Sequence, residues 1–245
     1  MRIKIKLSCQ KQPLRLPRHY NYIVQSFIYR NLNKKLAEKI HKKGEILGKR
    51  HFKLFTFSRI FGKFKNEKET LVFHKDINFL IASPITEILE SFATTLVKKG
   101  EIKLNGCTLF LSGIEVLYSP EIKENILVRT LSPITVYSTL QTPEGKKKTY
   151  YYSPFENDFS NLVKQNLIKK YTIIHKQNSK KMDFAILPEK VSSKNQHVIF
   201  YKGTVIKAWS GVYRLKGAKE LIGVAYDTGL GSKNSQGFGM IEVLE

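Results

Sequence analysis

Residues 83–100 read SPITEILESFATTLVKKG. The apolar members Ile85, Ile88, Leu89, Phe92, Ala93, Leu96 and Val97 recur at alternating gaps of three and one. That spacing draws one stripe along an α-helix and fits no strand. Ser83-Pro84 supplies an N-cap and a proline at the first helical position, and Gly100 stands where a C-terminal cap belongs. On either side the pattern changes to a period of two. RIKIKL at 2–7 and FKLFTFS at 52–58 alternate, 70–81 holds two strands around 76–78, and 101–104 and 107–118 form a hairpin turning at Asn105-Gly106. Tyr22, Val24, Phe27, Ile28, Leu32 and Leu36 keep helical spacing with an interruption near 31–33. They predict one helix, or two short ones, over 20–42, closed by Gly44.

The second half follows the same order. A strand is expected over 126–131 and a hairpin over 134–140 and 148–152. Ser153-Pro154 opens a helix with Glu156 at the capping-box position and Phe155, Phe159, Leu162, Val163 and Ile168 on its apolar face. Strands at 182–187, 196–202 and 204–215, a short helix at 217–226 and a last strand at 238–244 complete it. Each half runs strand, helix, strands, helix, strand, the order of the βαββαβ unit. The expected class is α+β, with two tandem ferredoxin-like (RRM-like) domains, 1–120 and 121–245, meeting near Ser119-Pro120.

The 245 residues carry 42 Lys and Arg against 20 Asp and Glu, a net charge of +22. With 42% hydrophobic residues the chain can bury a core, so the charge does not mark a disordered basic tail. Such an excess calls for a polyanionic partner or an anionic membrane surface. It is concentrated in 30–68, where 13 basic residues face three acidic ones. No apolar run approaches the ~20 residues of a membrane span. The start, MRIKIKLSCQ, is unlike a secretory signal, and Cys9 and Cys107 form no CxxC pair. A cytoplasmic protein without a membrane partner is expected. The motifs HxH, HExxH, DxD and GxxxxGK[ST] are absent, which argues against a metal-dependent nuclease and an NTPase; no metal and no cofactor are expected.

Two segments carry chemistry. Residues 229–239 read GLGSKNSQGFG, helix before and strand after. Glycines let backbone approach a ligand, and successive N–H groups can cradle an anion. The same glycines suit a tight structural turn, and only the charge favours phosphate contact. His41 lies in the densest positive field, with Tyr29 twelve residues before it and Lys53 twelve after. Tyr, His and Lys suffice to cleave RNA without metal: a proton acceptor for the 2′-hydroxyl, a donor to the departing 5′-oxygen, and a cation for the charge at phosphorus. Tyr29 reads equally as a helix-face core aromatic, and Lys53 as a strand-surface charge.

The chain resembles the CRISPR-associated endoribonucleases that process repeat RNA, the Cas six family of the RAMP superfamily. The resemblance rests on the loop at 229–239, on KLFTFS at 53–58, on LSPI at 131–134, and on 22–29 leading to Ile40-His41-Lys42. It implies two ferredoxin-like domains and metal-independent cleavage within the repeat to a 2′,3′-cyclic phosphate and a 5′-hydroxyl. It implies Tyr29 as base, His41 as acid and Lys53 as transition-state cation. RNA contacts are expected from Lys42, Lys43, Lys49 and Arg50, and from Gly229, Gly231, Lys233, Asn234, Gly237 and Gly239. The segment between His41 and Lys53 is longer than in some relatives and holds His51, which competes with His41; Lys49 or Arg50 could replace Lys53. CRISPR repeat RNA is the implied partner, with other subunits of a CRISPR complex and a second copy of the chain as further candidates. The alternative is a catalytically silent RNA-binding subunit.

Overall fold

The computed structural model describes all residues except 10, 11, 43, 49, 142, 178–181 and 245. The chain divides into two compact units, Met1–Ser119 with Ser235–Gly237, and Pro120–Asn234 with Phe238–Glu245.

The first unit is built on a sheet of β1 (Arg2–Ser8), β2 (Thr56–Phe57), β3 (Ile77–Ala82), β4 (Glu101–Leu104) and β5 (Cys107–Leu117). Its spatial order is β2-β3-β1-β5-β4, and the pairings are antiparallel. Between β1 and β2 run α1 (Asn21–Arg30) and α2 (Lys34–Lys42); α3 (Thr86–Lys99) follows β3. The alternation of β1 decides its orientation: Ile3, Ile5 and Leu7 are buried, while Lys6 points outward and pairs with Glu115 of β5. Asn105 and Gly106, both at positive φ, make the expected tight turn between β4 and β5.

The second unit repeats the plan. Its sheet holds β6 (Asn125–Thr130), β7 (Phe184–Lys190), β8 (Val212–Gly217) and β9 (Ile241–Leu244) in the order β7-β8-β6-β9, again antiparallel. Here α4 (Asn157–His175) lies between β6 and β7, and α5 (Lys219–Thr228) between β8 and β9. In both units the order begins second, third, first; β9 comes next in the second unit, and β5, with β4 on its outer edge, in the first. Tandem ferredoxin-like folds are thus present. Hairpins Tyr137–Gln141/Lys147–Tyr151 and Gln196–Tyr201/Thr204–Trp209 are added to the second unit, so the run expected as one strand over 204–215 is divided at 210–211.

Other expectations need adjustment. The helix interruption near 31–33 is real: Asn31 donates its side-chain amide to the Phe27 carbonyl and separates α1 from α2. Ser83 does not cap α3, which begins only at Thr86. The Ser83 hydroxyl instead accepts the Ile85 N–H at 3.0 Å and donates to the Leu54 carbonyl at 2.8 Å. Glu156 does accept the Ser153 N–H, as a capping box requires, although α4 starts later, at Asn157. The strand expected over 52–58 is broken at Leu54, whose φ is 50°. Val97 is 63% exposed, on the rim of a stripe whose centre is Ile88, Leu89, Phe92 and Leu96.

Phe92 meets Phe27 of α1 and Phe79 of β3 edge-on, at centroid separations of 5.8 and 6.4 Å. These three rings pin both helices to the sheet. Phe92→Ala should cost about 3–5 kcal/mol in urea unfolding, because a close-packed centre cannot refill the void. Val97→Ala on the same helix should stay within about 0.5 kcal/mol.

Candidate active site

The first unit brings Tyr29, His41 and Lys53 together. Tyr29 follows the buried Phe27 and Ile28 of α1 and is itself half-buried. Its ring meets Phe55 edge-on at 5.8 Å and the His41 imidazole edge-on at 5.6 Å. α2 buries Leu36 and Ile40, which turns His41, the next residue, outward at the helix end. The last carbonyls of a helix have no partner within it. The Lys53 ammonium supplies one, donating to the carbonyl of Ile40 at 2.5 Å and to that of His41. A cation there also suits the negative end of the helix dipole. Burial pulls Lys53 below the usual lysine range. Tyr29 is partly buried against the core, and Lys53 is a cap of α2 rather than a free strand-surface charge.

His51 lies on the strand Arg50–Phe52, exposed and opposite Ile46, with Arg50 opposite Leu47. Lys42 is exposed and pairs loosely with Glu38, four residues earlier, at 3.9 Å. Lys43 and Lys49 lie outside the described residues.

The Gly-rich loop departs from the anion-nest expectation. The N–H groups of Gly229, Leu230, Ser232 and Gly239 donate to the carbonyls of Ala225, Gly239, Thr135 and Pro133. Those donors are already engaged. Gly229, Gly231, Gly237 and Gly239 are buried. A Cβ on Gly231 would come within 2.5 Å of the Thr135 oxygen, and one on Gly239 would collide with the Leu230 carbonyl. These glycines are required for packing, so the structural reading of them prevails. Asn234 is likewise internal, its amide nitrogen donating to Leu230 and Phe238 carbonyls. Lys233 sits over the Tyr137 ring, 4.9 Å from its centroid. The tip belongs to the first unit: Asn21 donates to the carbonyls of Gln236 and Gly237, Gln25 to that of Ser235, and Arg59 donates to Asn21. α1 therefore holds the tip with its first turns and presents Tyr29 with its last.

One functional-looking residue was missed. Lys170 is 3% exposed and forms no ion pair among the described residues; its Nζ donates to the Gly229 carbonyl and to Asn234 Oδ1, both at 2.7 Å. Its sequence signal is its place on the apolar stripe Phe159, Val163, Leu167, Tyr171 of α4. A neutral amine has two N–H groups for these two acceptors, and burial lowers Lys170 from 10.5 to about 7.

Two family models match, both described as CRISPR-associated protein Cas6: the C-terminal one over residues 117–243 and the N-terminal one over 15–115. The chain belongs to the Cas6 family. It is 30% identical to the CRISPR-associated endoribonuclease Cas6 of Pyrococcus furiosus, over 99% of this chain and 90% of that one. It is also 30% identical to the CRISPR-associated endoribonuclease Cas6 1 of Methanocaldococcus jannaschii, over 100% and 93%. Among solved structures, a Cas6-related protein from Pyrococcus furiosus superposes with a TM-score of 0.85 at 26% identity, over 100% of this chain and 98% of that one.

The buried lysine of this Cas6 chain sets a pH dependence. Unfolded, Lys170 titrates near 10.5; folded, near 7. Between those values the unfolded chain holds a proton that the folded chain lacks, so stability rises with pH, by at most about 1.4 kcal/mol per unit. Below about pH 7 both forms are protonated and the contribution levels off. Lys170→Met should remove this slope. Urea unfolding of the two proteins at successive pH values should show their difference growing from neutral pH upward.

Proposed function

We propose that the chain cleaves CRISPR precursor RNA within the repeat, by attack of a 2′-hydroxyl on the adjacent phosphorus. The O2′–P bond forms as the P–O5′ bond breaks, leaving a 2′,3′-cyclic phosphate and a 5′-hydroxyl. Tyr29 oxygen takes the 2′ proton, and His41 gives one to the departing O5′. Lys53 has three N–H groups and uses two on helix carbonyls, which leaves the third for a phosphate oxygen carrying the developing charge. The observation that carries this reading is the joining of Tyr29, His41 and Lys53 in a chain whose relatives are named endoribonucleases. Exposed Lys42 and Arg50 would hold the flanking phosphates, with Lys43 and Lys49 from the same stretch. In the proposal the protein works in the cytoplasm, and its further partners are subunits of a CRISPR complex or a second copy of the chain.

Labelled repeat RNA tests this. Cleavage should persist in EDTA and stop when the nucleotide 5′ of the cut carries a 2′-deoxy sugar. His41→Ala should slow it about 10²–10⁴-fold, the range for a lost general acid, while His51→Ala should leave the rate nearly unchanged. Lys53→Ala should slow cleavage more than it weakens binding. Tight, salt-dependent binding with no cut by the unaltered protein would overturn the proposal in favour of a silent RNA-binding subunit.

A further inference from the structure

The hairpin Tyr137–Gln141/Lys147–Tyr151 takes no part in the site described above. Its register pairs Tyr137 with Tyr151, Ser138 with Tyr150, and Leu140 with Lys148. Side chains alternate across a strand, so Ser138, Leu140, Lys148 and Tyr150 share one face. The opposite face is used for packing: Tyr151 lies against the cluster of Ile199, Tyr201, Ile206, Ala208 and Phe238. The first face is open, with Leu140 48% and Tyr150 42% exposed.

An exposed tyrosine ordinarily loses its rotamer freedom when something binds it. Tyr150 is already fixed. Its hydroxyl donates to Glu156 Oε2 at 2.9 Å, and its ring meets Tyr152 edge-on at 4.9 Å between centroids. Across the strand stands only Ser138, too small to cover the ring. Lys146, Lys147 and Lys148 run consecutively at the turn, all exposed, with Glu144 just before them and Glu156 on the Tyr150 hydroxyl. Three adjacent like charges on a two-stranded hairpin repel one another and bury nothing. A polyanion would offset that repulsion.

We propose that this face is a contact surface for an unpaired stretch of RNA. One base stacks on the Tyr150 ring, and the flanking phosphates meet Lys148 and, at the turn, Lys146 and Lys147. In a paired helix the base faces are hidden within the stack, so an aromatic platform takes unpaired nucleotides. Every base has a π-face, so the contact adds affinity without reading sequence. The inference rests on the reading of this chain as an RNA-binding protein and adds the form of RNA and the place where it lies.

The probes are a labelled oligouridylate and an RNA duplex of equal length, followed by fluorescence polarisation over a range of salt. Tyr150→Ala should weaken binding of the single strand about tenfold, the effect of losing one stacked base, and leave duplex binding unchanged. Tyr150→Phe keeps the ring and should bind within about twofold of the unaltered protein. Replacing Lys146, Lys147 and Lys148 together by Ala should flatten the log–log salt slope for the single strand by about 2, at roughly 0.7 per phosphate. Unaltered single-strand binding by Tyr150→Ala overturns the proposal, as does an equal loss on duplex, or failure of the unaltered protein to bind the oligouridylate. A protein that binds the oligouridylate through Tyr150 yet leaves repeat RNA uncut overturns the nuclease reading and upholds this surface.

Discussion

The end of α2 presents carbonyls that water or another group has to satisfy, and the candidate site depends on how that is done. The Lys53 ammonium binds the carbonyls of Ile40 and His41, so a cation is fixed beside the residue that carries the imidazole. The chain after Lys53 is held just as firmly. Leu54 takes a left-handed conformation that costs a non-glycine residue about 1–2 kcal/mol. Ser83 binds its carbonyl, and Phe55 follows fully buried beneath Tyr29. One capping interaction thus ties α2, the segment after it and the last turn of α1 into a single arrangement within the first unit.

The second unit meets a similar problem with another lysine. Lys170 is buried on the core face of α4 and, like Lys53, donates to oxygen atoms that carry no charge. In a chain with twice as many cations as carboxylates, carbonyl oxygens are the acceptors most readily available to a buried amine. The difference in depth separates the two outcomes. Partly wet Lys53 is shifted down by burial and still borders solvent, whereas Lys170, buried throughout, is lowered to about 7. Its two bonds fix Gly229 and Asn234, and Asn234 in turn fixes Leu230 and Phe238. The conformation of the Gly-rich loop is therefore set from beneath by a helix residue.

Periodicity made the fold legible. The three-one spacing at 85–97 gave α3, the alternation at 2–7 gave β1, and the Asn-Gly pair gave the turn between β4 and β5. What escaped were features set by tertiary contacts. Ser83 has the residue type of a cap, yet its hydroxyl also serves the Leu54 carbonyl, a partner 29 residues away. Val97 continues the apolar stripe although the rim it occupies is exposed. Lys53 could be placed near His41 only through the family resemblance, because a lysine on a strand carries no sign of which carbonyl it will meet. The glycines were visible and their purpose was not. Close approach to a ligand and close approach to the protein's own backbone demand the same residue, and in Gly231 and Gly239 the backbone is what approaches.

The charge can now be divided by location. Glu115, Glu67, Glu242 and Glu189 each pair with a basic residue, Lys6, Arg15, Arg129 and Arg214, on the sheets and their hairpins. Such exposed pairs add little stability, but they neutralise the sheet surfaces. At the end of α2 Lys42 makes a long contact with Glu38, and the turn at 146–148 carries three consecutive lysines, with Glu144 just before them and Glu156 on the Tyr150 hydroxyl. Two of the places that carry clustered lysine or arginine also present an exposed ring, the His41 imidazole and the Tyr150 phenol. A folded protein gains nothing from repulsion kept at such places. Under the two proposals a flexible polyanion would gain twice, since its phosphates would be drawn to the lysines and its bases or its scissile bond brought against a ring already held in position. That coincidence of clustered positive charge with fixed aromatic groups is what a general preference for surface lysine does not explain.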